Sequence, residues 1–96
     1  MTNYSLEFHP LALKEWRRLD PTLQQQFKTQ LAKRLLQPHV PSAKLHGDLH
    51  NTYKIKLRRL GYRLVYEVIE NRLVVYVIAM GKRAEDNVYA VASVRR

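Results

Sequence analysis

The sequence predicts an α+β protein of order β-αα-βββ-α. A helical hairpin packs on one face of a mainly antiparallel four-stranded sheet, and a short C-terminal helix ends the chain. Three observations predict this. Two proline-initiated segments carry apolar residues at three-and-four spacing. Three closely spaced runs rich in Val, Ile, Leu and Tyr follow them, divided by short turns. A length of 96 residues, 46% of them hydrophobic, suits one domain over residues 1–96 and leaves no room for a second.

Each element has its own signal. Tyr4-Ser5-Leu6-Glu7-Phe8 alternates apolar and polar residues, the period of a half-buried strand. His9-Pro10 interrupts it, and Pro10 suits the first turn of a helix. Leu11, Leu13, Trp16 and Leu19 then line one helical face, with Lys14, Glu15, Arg17 and Arg18 on the other. Asp20-Pro21 reads as a cap followed by an N1 proline, opening a second helix on which Leu23, Phe27, Leu31 and Leu35 recur every fourth residue until Gln37-Pro38. Residues 37–51 have no sustained period, with two prolines, one glycine and three histidines, and read as a loop. Strands are expected at 52–57, 62–70 and 73–80, with turns at 58–61 and 71–72, giving an antiparallel meander. Residues 84–96 place Glu85 and Asp86 early and Arg95 and Arg96 late, which suits a helix macrodipole. Trp16, Phe27 and Phe8 are expected in the core, and Tyr66 and Tyr76 are expected to pack there or across strands.

The charge balance narrows the function. Seventeen Lys and Arg against eight Asp and Glu give a formal charge of +9 and a pI near 10.2, so an acidic partner is expected. Residues 51–96 hold ten basic and four acidic side chains, against seven and four in residues 1–50. The absence of cysteine excludes disulfides, thiolate chemistry and Cys-type zinc sites. No apolar run approaches a membrane span, and the N-terminus carries no basic-then-apolar signal pattern, so a cytoplasmic protein without membrane contact is expected. His39, His46 and His50 stand among helix-breaking residues with no acidic cluster, so no metal site is expected.

Strand alternation places Tyr53, Ile55 and Leu57 on one face and Lys54, Lys56 and Arg58 on the other. A turn closing around Arg59-Leu60 sets Leu57 opposite Tyr62 and Lys56 opposite Arg63. A second hairpin closing on Asn71-Arg72 sets Tyr62 opposite Gly81 and brings Arg83 to the same end of the sheet. Lys54, Lys56, Arg63 and Arg83 then converge on one open face. Opposed like charges destabilise a strand pair by up to about 1 kcal/mol, whereas a solvated face mixes signs. The phosphates of a polyanion relieve such repulsion, so nucleic-acid binding is the expectation from charge alone.

The same residue types suit RNA cleavage without a metal. In-line attack by a 2′-OH requires a base for the hydroxyl, cations for the developing phosphorane charge, and an acid or cation at the leaving 5′ oxygen. A lysine crowded by cations can act as base, arginine grips phosphate with two donors, and tyrosine stacks on a nucleobase.

Tyr53-Lys54-Ile55-Lys56-Leu57-Arg58, Gly61-Tyr62-Arg63-Leu64-Val65-Tyr66, Gly81-Lys82-Arg83 and Tyr89 together resemble RelE-type toxins of the RelE/ParE toxin–antitoxin superfamily, as does the opening Ala12-Leu13-Lys14-Glu15-Trp16-Arg17. The resemblance implies an mRNA interferase, an endoribonuclease that cleaves translated mRNA in the ribosomal A site and leaves 2′,3′-cyclic phosphate and 5′-OH ends without a cofactor. It implies catalytic roles for Lys54, Lys56, Arg63, Arg83 and Tyr89. Lys54 is the candidate base, Arg63 steadies phosphate charge, and Arg83 acts near the leaving group. Tyr89 stacks on or orients the substrate, with a role as base left open. Lys44, His46, Arg58, Arg59 and Lys82 are the implied RNA contacts. His46, in Lys44-Leu45-His46-Gly47, departs from the family's frequent Lys-Leu-Arg-Gly. The implied partners are a RelB-type antitoxin, which displaces the last helix, the ribosome and mRNA, with operator DNA reached only through the antitoxin. A ParE-like gyrase poison and a non-catalytic basic RNA-binding module are the alternatives.

Overall fold

The computed structural model describes residues 3–45, 50–82 and 87–95. Its elements are β1 (Ser5–Phe8), α1 (Pro10–Arg18), α2 (Pro21–Leu36), β2 (Thr52–Leu57), β3 (Tyr62–Ile69), β4 (Val74–Lys82) and α3 (Val88–Arg95). The sheet order is β1-β4-β3-β2, with β1 parallel to β4 and the other pairs antiparallel. The expected α+β order is the one observed. Each helix begins where its cap residue satisfies an otherwise unpaired backbone N–H. His9 Nδ1 accepts from the Leu11 N–H, Asp20 Oδ1 from the Leu23 N–H, and Asn87 Oδ1 from the Ala90 N–H. Proline occupies the first turn of α1 and of α2, where its missing N–H costs no helical hydrogen bond.

The loop expected at 37–51 contains a short 3-10 turn at Pro41–Ala43, and Lys44 bridges Tyr53 at the outer edge of β2. At the β3–β4 connection Glu70–Arg72 forms another 3-10 turn, and Leu73 takes a left-handed conformation with φ 53°. Gly61 closes the β2–β3 loop at φ +72°, a backbone conformation that glycine adopts without steric cost.

Helices cover both faces of the sheet. On one face α1 and α2 pack on Ile55, Leu64, Tyr66, Val75 and Val77 around Phe27 and Leu31. Phe27 is fully buried there, whereas Phe8 and Trp16 sit at the margin, half-buried, with ring centroids 5.6 Å apart. On the opposite face α3 lays Val88 and Ala92 on Val65, Ile78 and Ala79. The face expected to be open is therefore covered over its β3–β4 side.

The strand registers correct a second expectation. Lys56 lies opposite Arg63 and Leu57 opposite Tyr62, as the first turn requires. In the second hairpin Ile69 faces Val74 and Tyr66 faces Val77, but Val65 then faces Ala79. Ile78 is the extra residue of a β-bulge, which shifts every later pair by one. Tyr62 consequently faces Lys82, and Gly81 faces Arg63. The shift turns Met80 into the α1–α2 core, where it is 4% exposed.

Candidate active site

Alternation from Tyr53, Ile55 and Leu57, all buried under α2, turns Lys54, Lys56 and Arg58 to the face that α3 partly covers. Lys54 is half-buried opposite Val65, and Lys56 is exposed opposite Arg63. The Arg63 guanidinium carbon stands 5.2 Å from the centroid of the Tyr89 ring, within the range of a cation–π contact. The ring thereby holds the guanidinium between β3 and α3 without neutralising its charge. The Tyr89 hydroxyl is buried and has no hydrogen-bond partner among the described residues.

Beside this group, Lys56, Leu57, Arg58, Gly61, Tyr62 and Arg63 line a depression of about 290 Å³ at the tip of the β2–β3 hairpin. Among the described residues its walls carry three cations, Lys56, Arg58 and Arg63, and no acid, a local excess of positive charge that attracts anions. Arg58 and Arg59 are exposed on the connecting turn, and Lys82 is exposed at the end of β4. Lys44 stands apart from them, beside Tyr53 at the outer edge of β2. Arg83 and His46 lie outside the described residues.

The polar groups at the other end of the sheet are paired instead. His39 Nδ1 lies 2.8 Å from the Tyr53 hydroxyl, and its Nε2 is hydrogen-bonded to the Glu70 carboxylate. Tyr4 donates to both Glu70 oxygens at 3.1 Å. Arg34 donates to the Tyr66 hydroxyl at 2.8 Å, and that hydroxyl donates to the Pro38 carbonyl at 2.7 Å. The His39 contact, followed by that of Tyr4, holds Glu70 below the ordinary glutamate range. Burial raises the Tyr53 and Tyr66 hydroxyls above the tyrosine range; Glu70's charge adds to the first, and Arg34 opposes the second. This cluster joins residues up to 66 positions apart, beyond the reach of any periodicity argument. The pairing of Glu15 with Arg95 across 80 positions has the same origin.

The profile of the family described as the ParE toxin of the type II toxin–antitoxin system parDE matches residues 6–87. Over 89 residues, 93% of each chain, the sequence is 48% identical to the mRNA interferase toxin RelE of Escherichia coli strain K12.

The chain belongs to the RelE/ParE toxin family.

Solved structures place it with the RelE branch. A double arginine-to-alanine variant of E. coli RelE in the free state superposes with a TM-score of 0.88 at 46% identity, covering 98% of both chains. RelE in the intact E. coli RelBE toxin–antitoxin complex superposes at 0.81 and 49% identity, covering 86% of this chain and 99% of that one. The basic residues of this RelE-like toxin thus stand on the scaffold that the sequence resemblance implied.

Proposed function

We propose that this chain is the toxin of a type II toxin–antitoxin pair and an endoribonuclease that cleaves translated mRNA in the ribosomal A site. The observation that carries this reading is the gathering of Lys54, Lys56, Arg63 and Tyr89 on one face, in a chain 48% identical over 93% of its length to an mRNA interferase. Lys54 takes the proton of the 2′-OH as its oxygen attacks the adjacent phosphorus. The P–O5′ bond breaks, and the leaving oxygen takes a proton from water, giving 2′,3′-cyclic phosphate and 5′-OH ends. Lys56 and Arg63 carry the negative charge that builds on the phosphate oxygens. Arg83 acts beside the leaving oxygen, and Tyr89 orients a base.

Geometry favours Lys54 over Tyr89 as the base. Lys54 is half-exposed on the sheet, whereas the Tyr89 hydroxyl is shut off from solvent under α3. Amine and guanidinium groups supply the base and the charge stabilisation, so the step needs no divalent ion of its own. Arg58, Arg59 and Lys82, with Lys44 and His46, hold RNA backbone around the site. They lend affinity that falls as salt rises.

The partner class follows from the relatives. E. coli RelE forms a complex with RelB, and a chain with a formal charge of +9 suits an acidic RelB-type antitoxin. Such an antitoxin neutralises the toxin in the cytoplasm and is its only link to operator DNA. No described helix is long and apolar enough to cross a membrane.

The test is cleavage of mRNA on purified ribosomes, with new 5′ ends mapped by primer extension and their chemistry read by direct labelling of 5′-OH. New ends in the A-site codon, lost in Lys54→Ala and Arg63→Ala, are expected. Intact mRNA together with inhibited DNA gyrase supercoiling overturns the reading in favour of a ParE-like poison. Binding of RNA without new ends overturns it in favour of a non-catalytic module.

A further inference from the structure

β1 ends at Phe8, opposite Val77, so beyond that point β4 has lost its strand neighbour on one side. The ladder's last bond there runs from the His9 N–H to the Val77 carbonyl. The bulge at Ile78 follows immediately, and its open edge would leave backbone groups unpaired. Two charged side chains take them up. Glu15 of α1 accepts the Met80 N–H at 3.2 Å. Arg95, in the last turn of α3, donates to the Ile78 carbonyl at 2.9 Å. The two side chains also clasp each other, with Arg95 Nη1 donating to Glu15 Oε1 at 2.9 Å and Nη2 to Oε2 at 2.7 Å. The pair is largely sheltered, with side-chain exposures of 13% for Arg95 and 29% for Glu15.

This clasp joins three elements at the bulge that sets the register of the site. The bulge puts Gly81, rather than Met80, opposite Arg63. The eight-residue α3 carries Tyr89 near one end and Arg95 at the other. So short a helix is not stable alone, and its apolar footing among the described residues is Val88 and Ala92, with Val91 and Tyr89 at the margin. Apolar contact alone leaves a short helix free to slide or tilt, because it is non-directional. A bidentate arginine–carboxylate pair fixes direction as well as distance.

We propose that Glu15 and Arg95 are positioning residues of the RNA-cleaving site: their clasp on the β4 bulge sets α3 so that Tyr89 rests on Arg63. The inference depends on the assignment of the reaction to Lys54, Arg63 and Tyr89, and a separate arm of the experiment tests that assignment.

The experiment measures single-codon mRNA cleavage on purified ribosomes for Glu15→Gln, Arg95→Ala, Arg95→Lys and the Glu15→Gln/Arg95→Ala double variant. Folding of each is checked by urea titration, and rates are normalised to folded toxin. Glu15→Gln and Arg95→Ala are expected to lower kcat by about 10–100-fold with KM unchanged. The double variant is no slower than the slower single, because each change breaks the same clasp. Arg95→Lys, which keeps the charge and one donor, recovers part of the loss. Ring signals of Tyr89, read by NMR on 13C-tyrosine toxin, move in step with kcat. Glu7→Ala breaks the exposed Glu7–Arg72 pair, 3.1 Å long, and leaves kcat unchanged. Wild-type kcat in either single variant, independent multiplying losses in the double, or lost kcat with unmoved Tyr89 signals overturns the positioning role. If Arg63→Ala cleaves as wild type, the site assignment fails instead.

Discussion

The two faces of the sheet are built for different ends. Under α1 and α2 the buried cluster holds thirteen of the described residues, from Ala12 to Met80. Under α3 it holds five among the described residues, and two of those are alanine. The first face therefore supplies most of the apolar burial that stabilises the fold. The second is left shallow: its β2 margin carries Lys54, Lys56 and Arg58, with Arg63 beside them against the Tyr89 ring. On the proposed assignment of the site, the face that meets RNA is left unsealed by hydrocarbon, and packing on the other face sustains the fold.

Exchanging the effects of the two faces is the sharpest way to break this division. Lys54→Ala and Arg63→Ala are expected to lower cleavage by at least about 100-fold, while unfolding free energy moves by no more than about 1 kcal/mol. Ribosome cleavage and urea titration on the same samples decide it. Phe27→Ala on the opposite face should cost about 3–5 kcal/mol, with the rate per folded molecule unchanged. A Phe27→Ala toxin that is fully stable, or folded but inactive, contradicts the division.

Smaller effects sharpen it. Val88→Ala trims the shallow cluster by two carbons and should cost about 1–2 kcal/mol. Hydrogen exchange should accelerate in α3 before it does in α2. Equal acceleration in both helices would show that α3 is not the weaker layer.

The smallest effect lies at the paired end of the sheet. Glu70 titrates below the ordinary glutamate value of 4.5 because His39 and Tyr4 bond its carboxylate. A folded-state pKa below the unfolded one gives stability that is complete above about pH 4.5 and is lost as pH falls through the lower value. Glu70→Gln should therefore flatten the acid side of the pH–Tm curve without altering cleavage at neutral pH. A curve identical to wild type would remove the pairing from the stability balance.

Much of the candidate site's strand geometry was legible in the chain because β alternation is strictly local. The spacing of Lys54, Lys56 and Arg58 and the Arg59-Leu60 turn were enough to set Lys56 opposite Arg63. The second hairpin began in the expected register and then lost it at Ile78. Nothing in Val77-Ile78-Ala79 marks a bulge, since all three are apolar strand residues. The covering of the site by α3 was also hidden, because a weakly patterned tail does not declare which face of a sheet it will meet.

Sequence by itself determined the α+β order, the starts of α1 and α2, the first hairpin register and the placing of three cations on one strand face. Each follows from local steric preference or from a period of two or 3.6 residues. Tertiary structure alone decided the register beyond Ile78, the contact of Tyr89 with Arg63, and the joining of Glu15 to Arg95 at the open edge of β4. These depend on where distant segments find their unpaired backbone groups and charges once the sheet has formed, and chain spacing does not encode that choice.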